Sequence, residues 1–374
     1  MKNPFVYLKN FIKREPVLFA ALILALAAIC IVRPAPELCL HAIDFRTLAV
    51  LFSLMIVIKA FQSQNFLDFI AARLLRLCKS QRSLYFLMTY LVFFSSMFVT
   101  NDVALLTFVP ISLLIFKRIN LPALHIVVLE TLAANLGSCI TPMGNPQNLY
   151  LFSYYAFSAL DFFALTAKIA VPSLFILALI IFFLTRKNIV FEGNVLQTQS
   201  ARLKLDFRTF FYIADFILCL LAVFHVVNYL IMLGITVVVM VVCNWRLFKK
   251  VDYSLLLTFV GFFIFTKTLS TIPAFSDFIK SVLSSPLKTY ITGIAASQVI
   301  SNVPAALLLS GFTENGAMLL LAVNVGGLGT LIASMASVIS FKLYSAENHD
   351  NYFAVFTAYN VVLLLVLGLI VYLI

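Results

Sequence analysis

Charged side chains are scarce in this sequence. Lys, Arg, Asp and Glu make up 11% of its 374 residues, against about 25% in a soluble domain, and mean hydropathy is +1.07. That shortage excludes an ordinary soluble globular domain. Missing motifs exclude more. The six cysteines (Cys30, Cys39, Cys78, Cys139, Cys219, Cys243) form no CxxC pair, so neither a disulfide framework nor a zinc site is expected. There is no HExxH, DDxxD or GxSxG, and the four histidines are dispersed. Nothing points to membrane-embedded catalysis, and the chain reads as no enzyme. An ATP-binding motif and a soluble domain are also missing, so an ATPase would be a separate chain. Segments of about ten residues with alternating polarity, the mark of a membrane β-barrel, are absent.

What the chain has is long apolar runs. Residues 17–32, 162–185, 210–224, 226–243, 253–270 and 353–374 approach or reach the roughly 17–25 residues that span hydrocarbon as a helix. An all-α polytopic membrane protein is expected. The first run lacks a small-residue cleavage site and is followed by others, so it reads as an anchor. The net charge of +11 would suggest nucleic acid in a soluble protein. Here the basic residues fall in blocks: Lys2, Lys9, Lys13, Arg14; Arg73, Arg76, Lys79, Arg82; Lys117, Arg118; Arg186, Lys187; Arg202, Lys204, Arg208; Arg246, Lys249, Lys250. Such blocks follow the positive-inside rule. With every block cytoplasmic, the N-terminus lies inside and the C-terminus outside. The bilayer is then the partner, and no nucleic acid is implied.

Two halves of the chain echo one another. "DFRTLAVLFSLMIVIK" runs from Asp44 to Lys59 and "DYSLLLTFVGFFIFTK" from Asp252 to Lys267, with equal spacing. "DFI" follows at Asp68 and again at Asp277. "SMFVTN" (Ser96 to Asn101) matches "SQVISN" (Ser297 to Asn302). "NLGSCITPMGN" matches "NVGGLGTLIAS", keeping Asn135, Gly137 and Thr141 in step with Asn324, Gly326 and Thr330. The first Asp–Lys run heads toward a basic block and the second leaves one, so the copies are inverted. Inverted repeats with interrupted helices mark secondary transporters, with the site near the midplane. Residues 15–185 form the first repeat, 186–207 a cytoplasmic linker and 208–374 the second repeat.

Each repeat holds two apolar arms around an Asn. The arms are 84–99 and 103–116, then 290–300 and 304–309. The second pair is shorter than a span, which favours a re-entrant hairpin with its tip at 301–303; the first pair has basic residues at both outer ends, which favours another with its tip at 100–102, and two full spans remain the alternative for the first pair. Each repeat also holds a polar interruption, 137–148 and 326–334. In the first, Gly137 and Gly144 are expected to let the chain leave helical space, while Pro142 and Pro146 remove backbone donors. Non-helical backbone at membrane depth survives only inside protein or against a wet cavity. Freed carbonyls and half-helix ends can then bind ions or substrate. A kinked packing helix is the plainer alternative, and the matched second break argues against it.

The residues "TND" (Thr100 to Asp102), "ANLGSCITPMGNPQN" (Ala134 to Asn148), "SNV" (Ser301 to Val303) and "NVGGLGT" (Asn324 to Thr330) resemble the ion transporter superfamily. That group includes arsenite permeases, a type of sodium/proton antiporter, citrate–metal transporters and divalent anion–sodium symporters. The chain most resembles short bacterial citrate-transporter-like permeases. The resemblance implies about nine full spans, two re-entrant hairpins facing two broken helices, elevator-type alternating access, a bacterial inner-membrane location and a possible homodimer. It implies a substrate site at Asn101, Thr141, Pro142, Gly144, Asn145, Asn148, Ser301, Asn302 and Thr330. Coupling-ion candidates are Ser96, Thr100, Asn101, Asp102, Glu130, Asn135, Gly137, Ser297, Asn302, Asn324 and Gly326. No cofactor is implied beyond sodium as a possible coupling ion, which oxygen-only ligation would suit. The chain departs from the symporter pattern, which carries Ser-Asn-Thr at both tips: Asp102 adds a carboxylate to the first tip, and Val303 removes a hydroxyl from the second. Leu331 also stands where Pro142 stands in the first break.

Asp102 and Glu130 are the acids expected at depth, with Asp215 a further candidate; buried intramembrane carboxylates default to cation or proton chemistry. Lys59 and Lys267 read as residues that snorkel to the interface. His125 reads as packing or a helix-face hydrogen bond. A small anion (citrate, another carboxylate or an oxyanion) moved with sodium or protons is the leading expectation. Arsenite or antimonite efflux, cation/proton exchange and a passive channel are the alternatives.

Overall fold

A computed structural model describes residues 15–191, 206–346, 348 and 350–374. The basic residues at 2, 9, 13, 14, 202 and 204, and most of the expected 186–207 linker, lie outside the described residues. Eighteen α-helices account for most of what is described, and no strand occurs there beyond one isolated bridge, Ser80 to Val190. In chain order they are α1 (Pro16–Val32), α2 (Pro36–Ala42), α3 (Phe45–Ser63), α4 (Phe66–Leu75), α5 (Gln81–Val99), α6 (Asn101–Arg118), α7 (Leu124–Ser138), α8 (Pro146–Tyr154) and α9 (Ala159–Leu184). Then come α10 (Phe207–Val223), α11 (Tyr229–Asn244), α12 (Tyr253–Leu269), α13 (Pro273–Val282), α14 (Pro286–Ile300), α15 (Asn302–Ser310), α16 (Gly316–Val325), α17 (Met335–Ser345) and α18 (Tyr352–Leu373).

Five stretches (α3, α5, α9, α18, and α11 with the 3-10 turn that follows it) are long and apolar enough to cross a membrane. The pair α12–α13, bent by 106°, makes a sixth if counted as one span. Their outward faces are apolar: Phe175 is 72% exposed, Val242 74% and Leu369 61%. Surfaces of that kind are stable against lipid, not water. The protein is an all-helical polytopic membrane protein.

Helix starts follow from local chemistry. Asp44 caps α3 by accepting from the Thr47 amide at 3.0 Å, and Asp252 caps α12 by accepting from the Leu255 amide at 3.0 Å. Their backbone angles nearly coincide, φ −80 and ψ 86 against φ −82 and ψ 85. The first helix does not stay with its sequence neighbours. α1 packs along α12 through small residues; a Cβ on Gly261 would stand 3.0 Å from Ala21 Cβ. α10 and α11 in turn pack on α3. Close approach through Gly and Ala is how helices associate where water supplies no drive.

α5 and α6 form a helical hairpin, since Tyr85 near the start of one packs edge-on to Phe116 near the end of the other, 5.4 Å between ring centroids. α14 and α15 form a second; Thr289 and Thr313 bring their hydroxyls to 3.5 Å across its open end. In each hairpin a single residue makes the turn, Thr100 or Ser301. Arg82 at the open end of the first hairpin donates to the Thr185 carbonyl (2.9 Å) and lies over the Phe182 ring, so the basic residues near 82 and 186 share one end of the molecule.

Two broken helices complete the core. In the first, α7 gives way to a 3-10 turn at Pro142–Gly144 before α8; in the second, α16 gives way to a turn at Leu331–Ala333 before α17. The first break carries the chain from one hydrophobic cluster, containing α7, to the other, containing Leu149 to Phe152. One expectation is corrected here. Gly137 lies within α7 and Gly144 in the 3-10 turn, and among the described glycines only Gly329 has positive φ, at 101°. Gly137 is needed for space: a Cβ would meet the Phe93 carbonyl oxygen at 2.1 Å and Ser96 Oγ at 2.6 Å. Gly326 stands in the same relation to Ser297, with Oγ at 2.8 Å.

Candidate functional site

The hairpin tips are built alike. Thr100 has φ 70 and ψ 153, and Ser301 has φ 74 and ψ 155. This region is essentially reserved for glycine and costs of order 1–3 kcal/mol for another residue. Each tip residue still gives its carbonyl to the first turn of the next helix, to Ala104 (3.1 Å) and Ala305 (3.0 Å). The strained turn delivers Asn101 and Asn302 to the buried N-terminal ends of α6 and α15.

The breaks are tied to the hairpins in matching ways. Thr141 donates its hydroxyl to the Met97 carbonyl, and Thr330 donates to the Gln298 carbonyl at 3.0 Å. They are also tied to each other, reciprocally. Asn145 Nδ2 donates to Asn324 Oδ1 (3.3 Å), while Ser334 Oγ donates to Asn135 Oδ1 (2.9 Å). Asn324 Nδ2 donates to Asn148 Oδ1 (2.7 Å), while Asn135 Nδ2 donates to Ser337 Oγ (3.4 Å). In the register set by Asn135 and Asn324, Ser334 takes the place of Asn145 and Ser337 the place of Asn148. Asn101 Nδ2 joins the cluster at Asn135 Oδ1 (3.3 Å). Neither Ser334 nor Ser337 was among the site candidates: Ser334 closes the aligned second break, but serine there carries little signal, and Ser337 lies beyond the aligned stretch.

Beside this cluster lies a cavity of about 170 Å³, walled by Thr100, Asn101, Asp102, Asn145, Pro146, Lys59 and Asp252 together with apolar residues of α3. Asp102 Oδ1 is buried and without a hydrogen-bond partner, while Oδ2 is not so placed. Lys59 is half-buried, donates to Gln62 Oε1 (3.1 Å) and lines this cavity with Asp102 and Asp252. Its distance from Asp102 in sequence hid their place in one cavity, and Asp252 comes from the far half of the chain. Lys267 is exposed.

The remaining candidates fall elsewhere. Ser96 and Ser297 give their hydroxyls to carbonyls one turn back, Phe93 and Gly293, both at 2.8 Å. Glu130 is fully buried but does not line the cavity; it accepts from Ser112 Oγ at 2.5 Å, and Oε2 has no partner. Asp215 accepts from Thr236 at 2.8 Å between α10 and α11. His125 shares a hydrogen bond with Tyr359 at 3.1 Å. Pro142 and Gly144 form the 3-10 turn itself. Among the described residues no three His, Cys, Asp or Glu gather to hold a transition metal.

The citrate transporter family profile matches residues 11–315. The chain belongs to the citrate transporter family. This places it in the ion transporter superfamily that its Thr-Asn-Asp and Asn-Pro-Gln-Asn motifs resemble. It is 34% identical over 306 residues to the uncharacterized transporter MJ0456 of Methanocaldococcus jannaschii, covering 81% of this chain and 82% of that one. It is 30% identical over 313 residues to the inner membrane protein YbiR of Escherichia coli, covering 83% and 82%. A shorter match, 27% over 121 residues, is to a putative transporter arsB of Dictyostelium discoideum, covering 32% and 22%. As a family member the chain is a membrane transporter.

Proposed function

We propose that this member of the citrate transporter family is a secondary active transporter of a small anion, a citrate-like carboxylate or an oxyanion, coupled to sodium or protons. The convergence of both helix breaks and the first hairpin tip beside one mixed-charge cavity carries the reading. Lys59 and the N-terminal ends of α6 and α8 offer positive potential to an anion. Asp102 and Asp252 offer carboxylates to a cation or proton. The reciprocal contacts between the breaks, and the like-angled tips and caps, support an inverted repeat with boundaries near 15–185 and 208–374. Alternating access of the elevator type, about nine spans, re-entrant hairpins, a bacterial inner-membrane location with the basic end cytoplasmic, and a homodimer complete the proposal. It acts as a permease and not an enzyme.

The paired acids favour one second reading, exchange of a cation or arsenite-type substrate against protons. Proteoliposomes loaded under a sodium or a pH gradient separate these. Gradient-driven uptake of citrate, a short dicarboxylate or phosphate supports the anion reading. Counterflow of protons against sodium or arsenite supports the second. Flux indifferent to both gradients and to Asp102→Asn would leave a passive channel.

A further inference from the structure

The second helix break is occupied by a side chain. Gln298, on the first arm of the second hairpin, donates Nε2 to the carbonyls of Gly326 (2.8 Å) and Leu328 (3.0 Å). A longer contact runs to the Ile294 carbonyl (3.3 Å), and Oε1 accepts from the Thr330 amide (2.9 Å). The backbone wraps closely around this amide. Gly329 turns at φ 101°, and a Cβ there would stand 2.3 Å from Gln298 Oε1. The first break has no such visitor, because Met97 holds the position equivalent to Gln298. Its freed carbonyls at Cys139 (2.8 Å), Thr141 (3.2 Å) and Ser138 (3.5 Å) are met from within by Asn148 Nδ2.

Converging backbone carbonyls are oxygen ligands of the sort a hard cation takes. A primary amide presents two N–H donors, the positive end of its dipole, to the same oxygens. The two amides differ in reach. Asn148 is fully buried, whereas Gln298 is half-buried and Thr330 is exposed. We infer that the Gln298 amide is a tethered occupant of a monovalent-cation position in the second break, and that a sodium-sized cation and this amide exclude one another there. The inference rests on the reading of that break as part of a transport site, but cation occupancy is measurable without any flux.

The test is the melting temperature of the purified full chain in sodium chloride against choline chloride at equal ionic strength. Wild type, Gln298→Ala and Gln298→Met are compared; methionine is what the first half carries at that place. A cation that binds the folded state raises its stability by mass action. Either variant should gain a sodium-specific rise of several degrees over the wild-type response. No gain in either variant overturns the inference and leaves the amide as a brace. Independently, high sodium should speed hydrogen exchange in the wild-type segment around Thr330, whose amide loses its acceptor when Gln298 withdraws; unchanged exchange counts against displacement. Sodium dependence gained by the variants with no uptake of any anion would leave this inference standing and remove the anion-transport reading.

Discussion

Asp102 and Gly137 do opposite work within one cluster. Asp102 keeps an unpartnered oxygen buried at the cavity wall, an arrangement that costs stability and persists where it serves a ligand or a proton. Asp102→Asn keeps the shape and removes the charge. We expect it to melt no lower than wild type while gradient-driven uptake falls by about tenfold or more, the rate equivalent of about 1.4 kcal/mol. A variant that unfolds and a variant that transports normally would each contradict that. Gly137 is needed for packing. A methyl group there meets a backbone carbonyl, which does not yield as a side chain would. Gly137→Ala should destabilise by about 1–3 kcal/mol or more, seen as a lowered melting temperature in detergent.

At the scale of the element, each tip holds a hairpin in a turn that a glycine would make without strain. Thr100→Gly should therefore leave the melting temperature unchanged or raise it by the equivalent of about 1 kcal/mol. Its uptake should fall, because a looser tip no longer fixes Asn101 against Asn135 at 3.3 Å. The breaks depend on a different device. Asn148 satisfies three carbonyls that the interruption frees and accepts from Asn324. Asn148→Ala strands those groups and should cost about 1–3 kcal/mol. Combined with Asn324→Ala, the loss should be less than additive, with a coupling energy of about 0.5–3 kcal/mol in a double-mutant cycle of melting free energies. Full additivity would mean the two breaks do not hold each other.

Over the whole molecule, the helices that begin one half pack against the other. α1 lies along α12, and α10 and α11 lie along α3. The contact at Gly261 and Ala21 tolerates little added bulk. Gly261→Leu should wedge α1 from α12 and lower the melting temperature by the equivalent of about 1–3 kcal/mol, with the cavity residues untouched. Lys59 shows the same interlock in charge. It lies toward the end of a helix of the first half and lines the cavity with Asp252, which caps one in the second. Lys59→Met leaves the two acids without their counter-charge, so anion uptake should fall while proton or cation binding strengthens, read as a larger cation-dependent thermal shift.

The helical class, the membrane setting, the two hairpin tips and the two breaks were legible in the sequence, because each leaves a local trace. Apolar runs, basic blocks, and Asn, Gly and Pro inside those runs are all written within a few turns of helix. Asp44 and Asp252 marked their helix starts for the same reason. The tertiary structure alone decided what stands opposite what. Lys59 beside Asp252, Ser334 on Asn135, Ser337 under Asn135 and Gln298 inside the second break are contacts between segments far apart in sequence or across a hairpin, and no periodicity announces them. Gly137 and Gly144 looked like conformational devices and proved to be close approaches. A glycine's two uses, freedom of φ and absence of bulk, are the same letter in a sequence, and only the neighbouring atoms tell them apart.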